Sequence, residues 1–257
     1  MTSARKKTSA KTLPARTSSP RTSTAILLTC EHGGNLVPPE YAQLFNGGET
    51  ALNSHRGYDP GALELARRMA EELPAPLLFA TVTRLLVELN RSTHHRRLFS
   101  EFSQPLPPDE RQALVSKHYT PYRTQVEERL AALIAAQGSV LHLSVHSFTP
   151  QLDGVVRTTE IGLLYDPARS GESQFAAAWQ TALRTLRPDL RVRKNYPYLG
   201  KADGFTTSLR RKFSPETYRG IEIEVNQAFP LGPDQAAWRT LQQDLIASLR
   251  SALSVAT

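Results

Sequence analysis

At 257 residues, with 40% hydrophobic and 21% charged residues, the chain is long enough to bury one sizeable core and too ordinary in composition for a fibrous or wholly disordered protein. Its net charge of +7 suggests nucleic acid only until it is mapped, because Arg5, Lys6, Lys7, Lys11, Arg16 and Arg21 all precede residue 25 with no acid among them, and the rest is nearly neutral. No apolar run approaches the roughly 20 residues that span a bilayer, and a single cysteine excludes an internal disulfide and fits a reducing cytoplasm.

Residues 1–24, rich in Ser, Thr, Ala and basic side chains, read as a disordered basic tail whose composition also resembles a transit peptide. Residues 25–257 are expected to form one domain. A strand is predicted over 25–30, and Cys30 within it reads as a small core residue rather than a nucleophile. The loop EHGGNLVPPEY follows, with Gly33 and Gly34 for a tight turn and a short helix near Glu40–Leu44. Asp59 is placed to cap a helix over 61–73 with Pro60 at its first position. Strands are predicted near 76–81 and over Leu85–Leu89, then an irregular excursion from Ser92 to Pro108.

Residues 109–137 have helical spacing with a break near Pro121. The apolar run 139–146, bounded by Gly138 and Pro150, reads as a central strand carrying His142 and His146. Further strands are predicted at 159–165, 190–193 and 220–225, with helices at 173–186 and 236–253 and a turn-rich loop at 195–204. Strand and helix alternate throughout, which predicts an α/β fold with a mixed, mostly parallel sheet flanked by helices. Ligands of such sheets bind outside the carboxyl ends of the strands, where His32, Asn90, Arg91 and His146 would all emerge.

Two imidazoles and one carboxylate, here His32, His146 and Asp59, are the protein ligands of many catalytic zinc sites. The same residues serve as well as strand-end histidines in ordinary hydrogen bonds and an aspartate that only caps its helix. Glu222 and Glu224 share one side of I-E-I-E-V, with Ile221, Ile223 and Val225 on the other. That places either a general base and its neighbour beside a metal, or two solvated acids on an edge strand. Arg91 offers a planar fork for a carboxylate, or an ordinary surface ion pair. His94, His95, Arg96 and Arg97 read as a solvated loop and His118 as a helix-surface residue. Arg157, Lys201 and Asp203 lie in polar loops, from which a cation could stabilise a developing oxyanion.

Together the segments TCEHGGNLVPPEY, HRGYDPGALELA, TRLLVELNRS, SVHSFTP, RTTEIGLLYDP, NYPYLGKADGFTTSLRR and GIEIEVNQ resemble the N-formylglutamate amidohydrolase family over about residues 25–230. The family is similar in fold to the zinc carboxypeptidases and aspartoacylases. The resemblance implies a metal-dependent hydrolase that cleaves the amide of a small N-acyl amino acid, with no nucleic-acid or membrane partner. The carboxypeptidase-type order is His with Glu three places on, Asn-Arg, His, then a general-base Glu. His32, Asn90-Arg91, His146 and Glu224 match it, but Asn35 stands where the second ligand would be. Asp59 is the expected replacement, with Glu31 and His55 as alternatives.

The implied site is thus one Zn²⁺ on His32, Asp59 and His146, with cobalt, manganese or nickel as other occupants. Glu224 is the base, and Glu222 supports the site from behind. Asn90 and Arg91 hold the α-carboxylate, and Arg157 and Lys201 are the candidates for a second acidic group. Two other readings share the scaffold: a metallopeptidase, which needs an open groove where an amidase needs a small pocket, and a non-catalytic binding protein.

Overall fold

A computed structural model describes residues 24–255. Apart from Thr24, the predicted disordered tail lies outside these residues. One six-stranded sheet organises the chain, as the α/β reading requires. Its strands are β1 (Ala25–Cys30), β2 (Leu77–Phe79), β3 (Val140–Phe148), β6 (Ile161–Leu164), β7 (Val192–Lys194) and β8 (Tyr218–Asn226), while β4 (Gln151–Leu152) and β5 (Val155–Val156) pair in a separate antiparallel hairpin. The order across the sheet is β2-β1-β3-β8-β6-β7. All neighbouring pairs are parallel except β6 against β8.

The helices are α1 (Glu49–Leu52), α2 (Ala62–Glu72), α3 (Pro108–Leu114), α4 (Thr120–Gln137), α5 (Ser170–Leu186), α6 (Phe205–Lys212) and α7 (Gln235–Val255). On one face of the sheet α2, α5 and α7 bury Met69, Trp179 and Trp238 against Leu143, Ile161 and Ile223. On the other, α4 and α6 bury Val126, Leu130, Phe205 and Leu209 against Leu27, Val140 and Tyr218. Strands covered on both faces read as continuous apolar runs, which is why 25–30 and 139–146 were recognisable. Among the described residues no helix is long and apolar enough to cross a membrane.

Four local expectations are corrected. Leu85–Leu89 is not a strand but a run of turns, with Leu86 N–H bonded to Thr83 O at 3.1 Å and Glu88 N–H to Leu98 O at 2.9 Å. Its apolar side chains are buried because they fill two separate clusters beneath the 92–108 excursion, while β2 takes the sheet edge. The helix over 109–137 does not break at Pro121. A π-helical turn over Val115–Tyr119 precedes it, and Pro121 sits in the first turn of α4, where its missing N–H costs least. Asp59 does not cap α2, whose N-cap is Gly61 without a side-chain bond. β8 is not an edge strand: it lies between β3 and β6, and Glu222 and Glu224 are only 8% and 5% exposed. The short α6 and the β4–β5 hairpin were not anticipated.

The EHGGN loop is pressed against the chain after β2. A side chain on Gly33 would meet Ala80 O at 2.8 Å, and one on Gly34 would meet Thr81 O at 2.7 Å. The two glycines are needed for close approach, and this contact aims His32 over the strand ends.

Candidate active site

The carboxyl ends of β1, β3 and β8 open into a cleft of about 710 Å³ lined by His32, Asp59, His146 and Glu224 among others. β1 delivers His32 just past its end. β3 carries His146 on the same face as Ser144 and Phe148, and parallel register sets His146 beside Glu224 of β8. Asp59 enters from the loop before α2, its N–H bonded to His32 O at 2.9 Å.

Asp59 Oδ2 stands 3.2 Å from His32 Nδ1 and 2.9 Å from His146 Nδ1. The two rings are 5.0 Å apart and tilted by 57°. Their far nitrogens are each held by a carboxylate. His32 Nε2 meets Glu88 Oε1 at 2.5 Å, and His146 Nε2 meets Glu31 Oε2 at 3.1 Å and Ser144 Oγ at 2.9 Å. Glu31 in turn accepts hydrogen bonds from Tyr122 OH at 2.9 Å and Ser144 Oγ at 2.6 Å. Glu88 and the outer oxygen of Asp59 are bridged by Arg84, whose Nε donates to Glu88 Oε2 at 2.8 Å and Nη1 to Asp59 Oδ1 at 3.0 Å.

Burial by itself raises the carboxyls of Glu31, Asp59 and Glu88, but the neighbouring histidines, Arg84 and the hydrogen bonds outweigh it and hold all three well below the usual range. Burial opposes a charge on His146, yet Asp59 and Glu31 raise it well above an ordinary imidazole. Three ionised carboxylates around two imidazoles make a buried site that favours a cation. The donor atoms fit a metal ion: one nitrogen of each imidazole and Asp59 Oδ2 lie together, all three ligand atoms within 4.8 Å of one another, and the two nitrogen–oxygen separations of 3.2 and 2.9 Å are near the ~3.3 Å edge of a tetrahedron with ~2.0–2.1 Å bonds. Each imidazole has its other nitrogen on a carboxylate, as metal-bound histidines ordinarily do. Among the described residues this is the group of histidine and acid side chains placed to hold a metal ion.

Glu224 differs from the other acids. Burial dominates, with Asp59 and Glu222 adding repulsion that His146 only partly offsets, and its carboxyl is pushed up to about 8. Its Oε2 is buried without a hydrogen-bond partner. Glu222, two residues back on the same face, accepts a hydrogen bond from Thr206 Oγ1 of α6.

Of the residues considered for the second ligand, Asp59 meets both imidazoles, Glu31 backs His146 from the far side, and His55 lies half-buried at the rim. Asn90 and Arg91 line the cleft. Asn90 Oδ1 accepts from Phe205 N–H at 2.6 Å at the start of α6, and Arg91 Nη1 donates to Asp203 O at 2.5 Å. Arg157 Nη1 donates to Tyr198 OH at 3.2 Å beside the cleft, whereas Lys201 is exposed and outside its lining. Sequence reading missed Glu88, Arg84, Tyr122 and Ser144. An acid within the apolar run L-L-V-E-L, with an arginine four residues before it, was the available signal for the first two.

Beneath the site His142 is fully buried between Thr29 Oγ1 and Tyr218 OH, each 2.8 Å from a ring nitrogen. Burial lowers it from 6.5 to about 4. The folded-state value lies below the unfolded one, so its stabilisation is complete above pH 6.5 and is lost as pH falls toward 4. The loss amounts to roughly 3 kcal/mol at ~1.4 kcal/mol per unit. Urea unfolding of a His142→Gln protein should therefore show a shallower fall of stability between pH 6.5 and 4 than the wild type, whatever its absolute stability. An equal slope would mean that His142 does not titrate in that window.

A parallel-rich α/β sheet with a buried carboxylate–histidine cluster in a cleft at its strand ends is the architecture of an α/β enzyme. The N-formylglutamate amidohydrolase family model matches residues 24–230, and the chain belongs to that family. Two solved structures share the fold. A gene product of Agrobacterium tumefaciens is 28% identical, with a TM-score of 0.75, covering 91% of this chain and 92% of its own. An N-formylglutamate amidohydrolase from Ralstonia eutropha JMP134 is 18% identical, with a TM-score of 0.66, covering 91% and 94%. No curated protein sequence matches the chain.

Proposed function

We propose that the chain is a zinc-dependent amidohydrolase that releases an amino acid from its N-acyl derivative, with N-formylglutamate the reference substrate. The observation that carries this reading is the sharing of Asp59 Oδ2 by His32 Nδ1 and His146 Nδ1 in a cleft that Glu224, with its unpartnered Oε2, also lines. Zinc held by those three donor atoms would supply Lewis acidity, making water a nucleophile near neutral pH and polarising the amide carbonyl. Glu224 Oε2 takes the proton of the attacking water and delivers it to the departing amine nitrogen. Burial makes this carboxylate more basic than a solvated glutamate.

Arg91, held by Nη1 to the carbonyls of Asn90 and Asp203, lines the cleft and would offer the rest of its guanidinium to the substrate's α-carboxylate, and Asn90 fixes the start of α6 beside it. A second acidic group would reach Arg97, which lines the cleft, before Arg157 at the rim or the exposed Lys201. Glu88 and Glu31 keep the two Nδ1 atoms turned toward the ion.

The reading is tested by metal content together with amino-acid release from N-formyl- and N-acetylglutamate, with and without chelator. About one zinc per chain and chelator-sensitive release are expected. Absence of metal after reconstitution, or turnover indifferent to chelator, would defeat it. Glu88→Gln should retain the fold and weaken zinc binding by about 10–100-fold, read by competition with a chromogenic chelator. Unchanged affinity would remove Glu88 from the support of His32.

A further inference from the structure

The cleft has two unlike walls. On the β1 side four arginines line it among the acids Asp59, Glu88, Glu101 and Asp203: Arg84 is committed to Asp59 and Glu88, Arg56 to Glu101, and Arg91 Nη1 to the carbonyls of Asn90 and Asp203, which leaves Arg97 and the rest of the Arg91 guanidinium to meet an anion. On the other side, beyond Glu222 and Glu224 of β8, an apolar strip lines the cleft. Phe148 lies on β3 two residues beyond His146 on the same face, and Leu164 of β6 stands opposite Glu222. Gly162, opposite Glu224, carries no side chain because one there would fall 1.9 Å from Tyr196 O. The loop at Tyr196 is thereby laid directly on β6, bringing Tyr198 and Leu199 to the cleft beside Leu164. Leu152, from the β4–β5 hairpin, extends the wall outward, and the Arg157 guanidinium stacks over Phe148 and Tyr198, 5.9 and 5.2 Å from the ring centres.

Tyr198 and Leu199 are 44% and 56% exposed and adjoin each other on the cleft. At about 710 Å³ the cleft also falls among sites of roughly 300–1,000 Å³ that enclose drug-sized ligands. A formyl group would fill little of it. If the amide lies across the zinc ligands and Glu224 and the α-carboxylate turns to Arg91, the acyl group points along the apolar wall.

We propose that the acyl group of the substrate is apolar and larger than formyl, an aromatic or branched aliphatic acyl chain seated on Phe148, Leu152, Leu164, Tyr198 and Leu199. The inference rests on the amidohydrolase reading and names the substrate class of that site.

The test compares kcat/KM of the zinc-loaded full chain for N-phenylacetylglutamate and N-acetylglutamate, two amides of similar intrinsic reactivity. A preference of at least about tenfold for the phenylacetyl compound is expected, the scale of hydrophobic-pocket discrimination. The Tyr198→Ser, Leu199→Ser double variant should reduce that ratio severalfold. Equal values, a preference for acetyl, or a ratio unmoved in the variant would overturn the wall and leave the amidohydrolase reading standing. Calorimetry on the zinc-loaded Glu224→Gln protein separates the two ideas where no turnover is seen. Tighter binding of the phenylacetyl compound by about tenfold supports the apolar wall while hydrolysis fails, and equal affinities overturn the wall.

Discussion

Glu224→Gln is expected to lower kcat by about 10²–10⁴-fold, the usual worth of a positioned general acid–base group, while zinc content and secondary structure stay at wild-type levels. The substitution keeps shape and removes only the ability to take a proton. It leaves His32, Asp59 and His146 untouched, since Glu224 Oε2 has no hydrogen-bond partner to lose. KM should change little, because the carboxylate acts on the proton in flight rather than on the bound substrate. A protein that keeps kcat within a few-fold of wild type would move the base elsewhere. Glu222 is the adjacent acid, but it already accepts a hydrogen bond from Thr206 and lies farther from His146 along β8.

The largest effect on stability is expected from Arg210→Met. Arg210 and Glu172 are buried together, with Nε 3.0 Å from Oε1. Arg210 also donates to Gly200 O at 2.6 Å and Gly220 O at 2.9 Å, while Glu172 accepts from the N–H groups of Asp166 and Gly220 at 2.9 and 3.0 Å. The partners are fixed groups on α5, α6, β8, the turn between β6 and α5, and the loop that walls the cleft. Removing the guanidinium strands a buried carboxylate, a change that ordinarily costs about 3–5 kcal/mol. For a domain of this length that lowers Tm by on the order of 10 °C, measurable by calorimetry. The double variant Glu172→Leu, Arg210→Met should recover only part of the loss, because the carbonyls of Gly200 and Gly220 and the two amides would still lack partners. Full recovery would show that the charges alone, and not the backbone bonds, matter.

The pair also explains how α6 serves the site. Anchored through Arg210, the helix sets Thr206 on Glu222 and its first N–H on Asn90. Nothing in G-F-T-T-S-L-R-R-K announces that role: the segment is short and strongly basic, and it folds as a helix because Phe205 and Leu209, one turn apart, find a core. Leu85–Leu89 fails in the opposite sense. It has the composition of a central strand, but its side chains divide between two clusters and its backbone bonds go to a turn and to the 92–108 excursion rather than to the sheet. Apolar runs report burial, and burial alone does not distinguish a strand from a packed turn.

The sequence by itself determined the α/β class, the central strands and the presence of His32 and His146 at their ends, because these follow from periodicity and breakers within a few residues. It also placed Glu222 and Glu224 on one face, since alternation along a strand needs no partner to be read. Only the tertiary structure decided which atoms meet. Asp59 reaches both imidazoles across 27 and 87 residues, and Glu88 meets His32 across 56. The change of Asp59 from helix cap to shared carboxylate, and of Glu224 from solvated to buried acid, depends on distances between strands remote in the chain. Those distances arise when the core closes, and no local pattern encodes them.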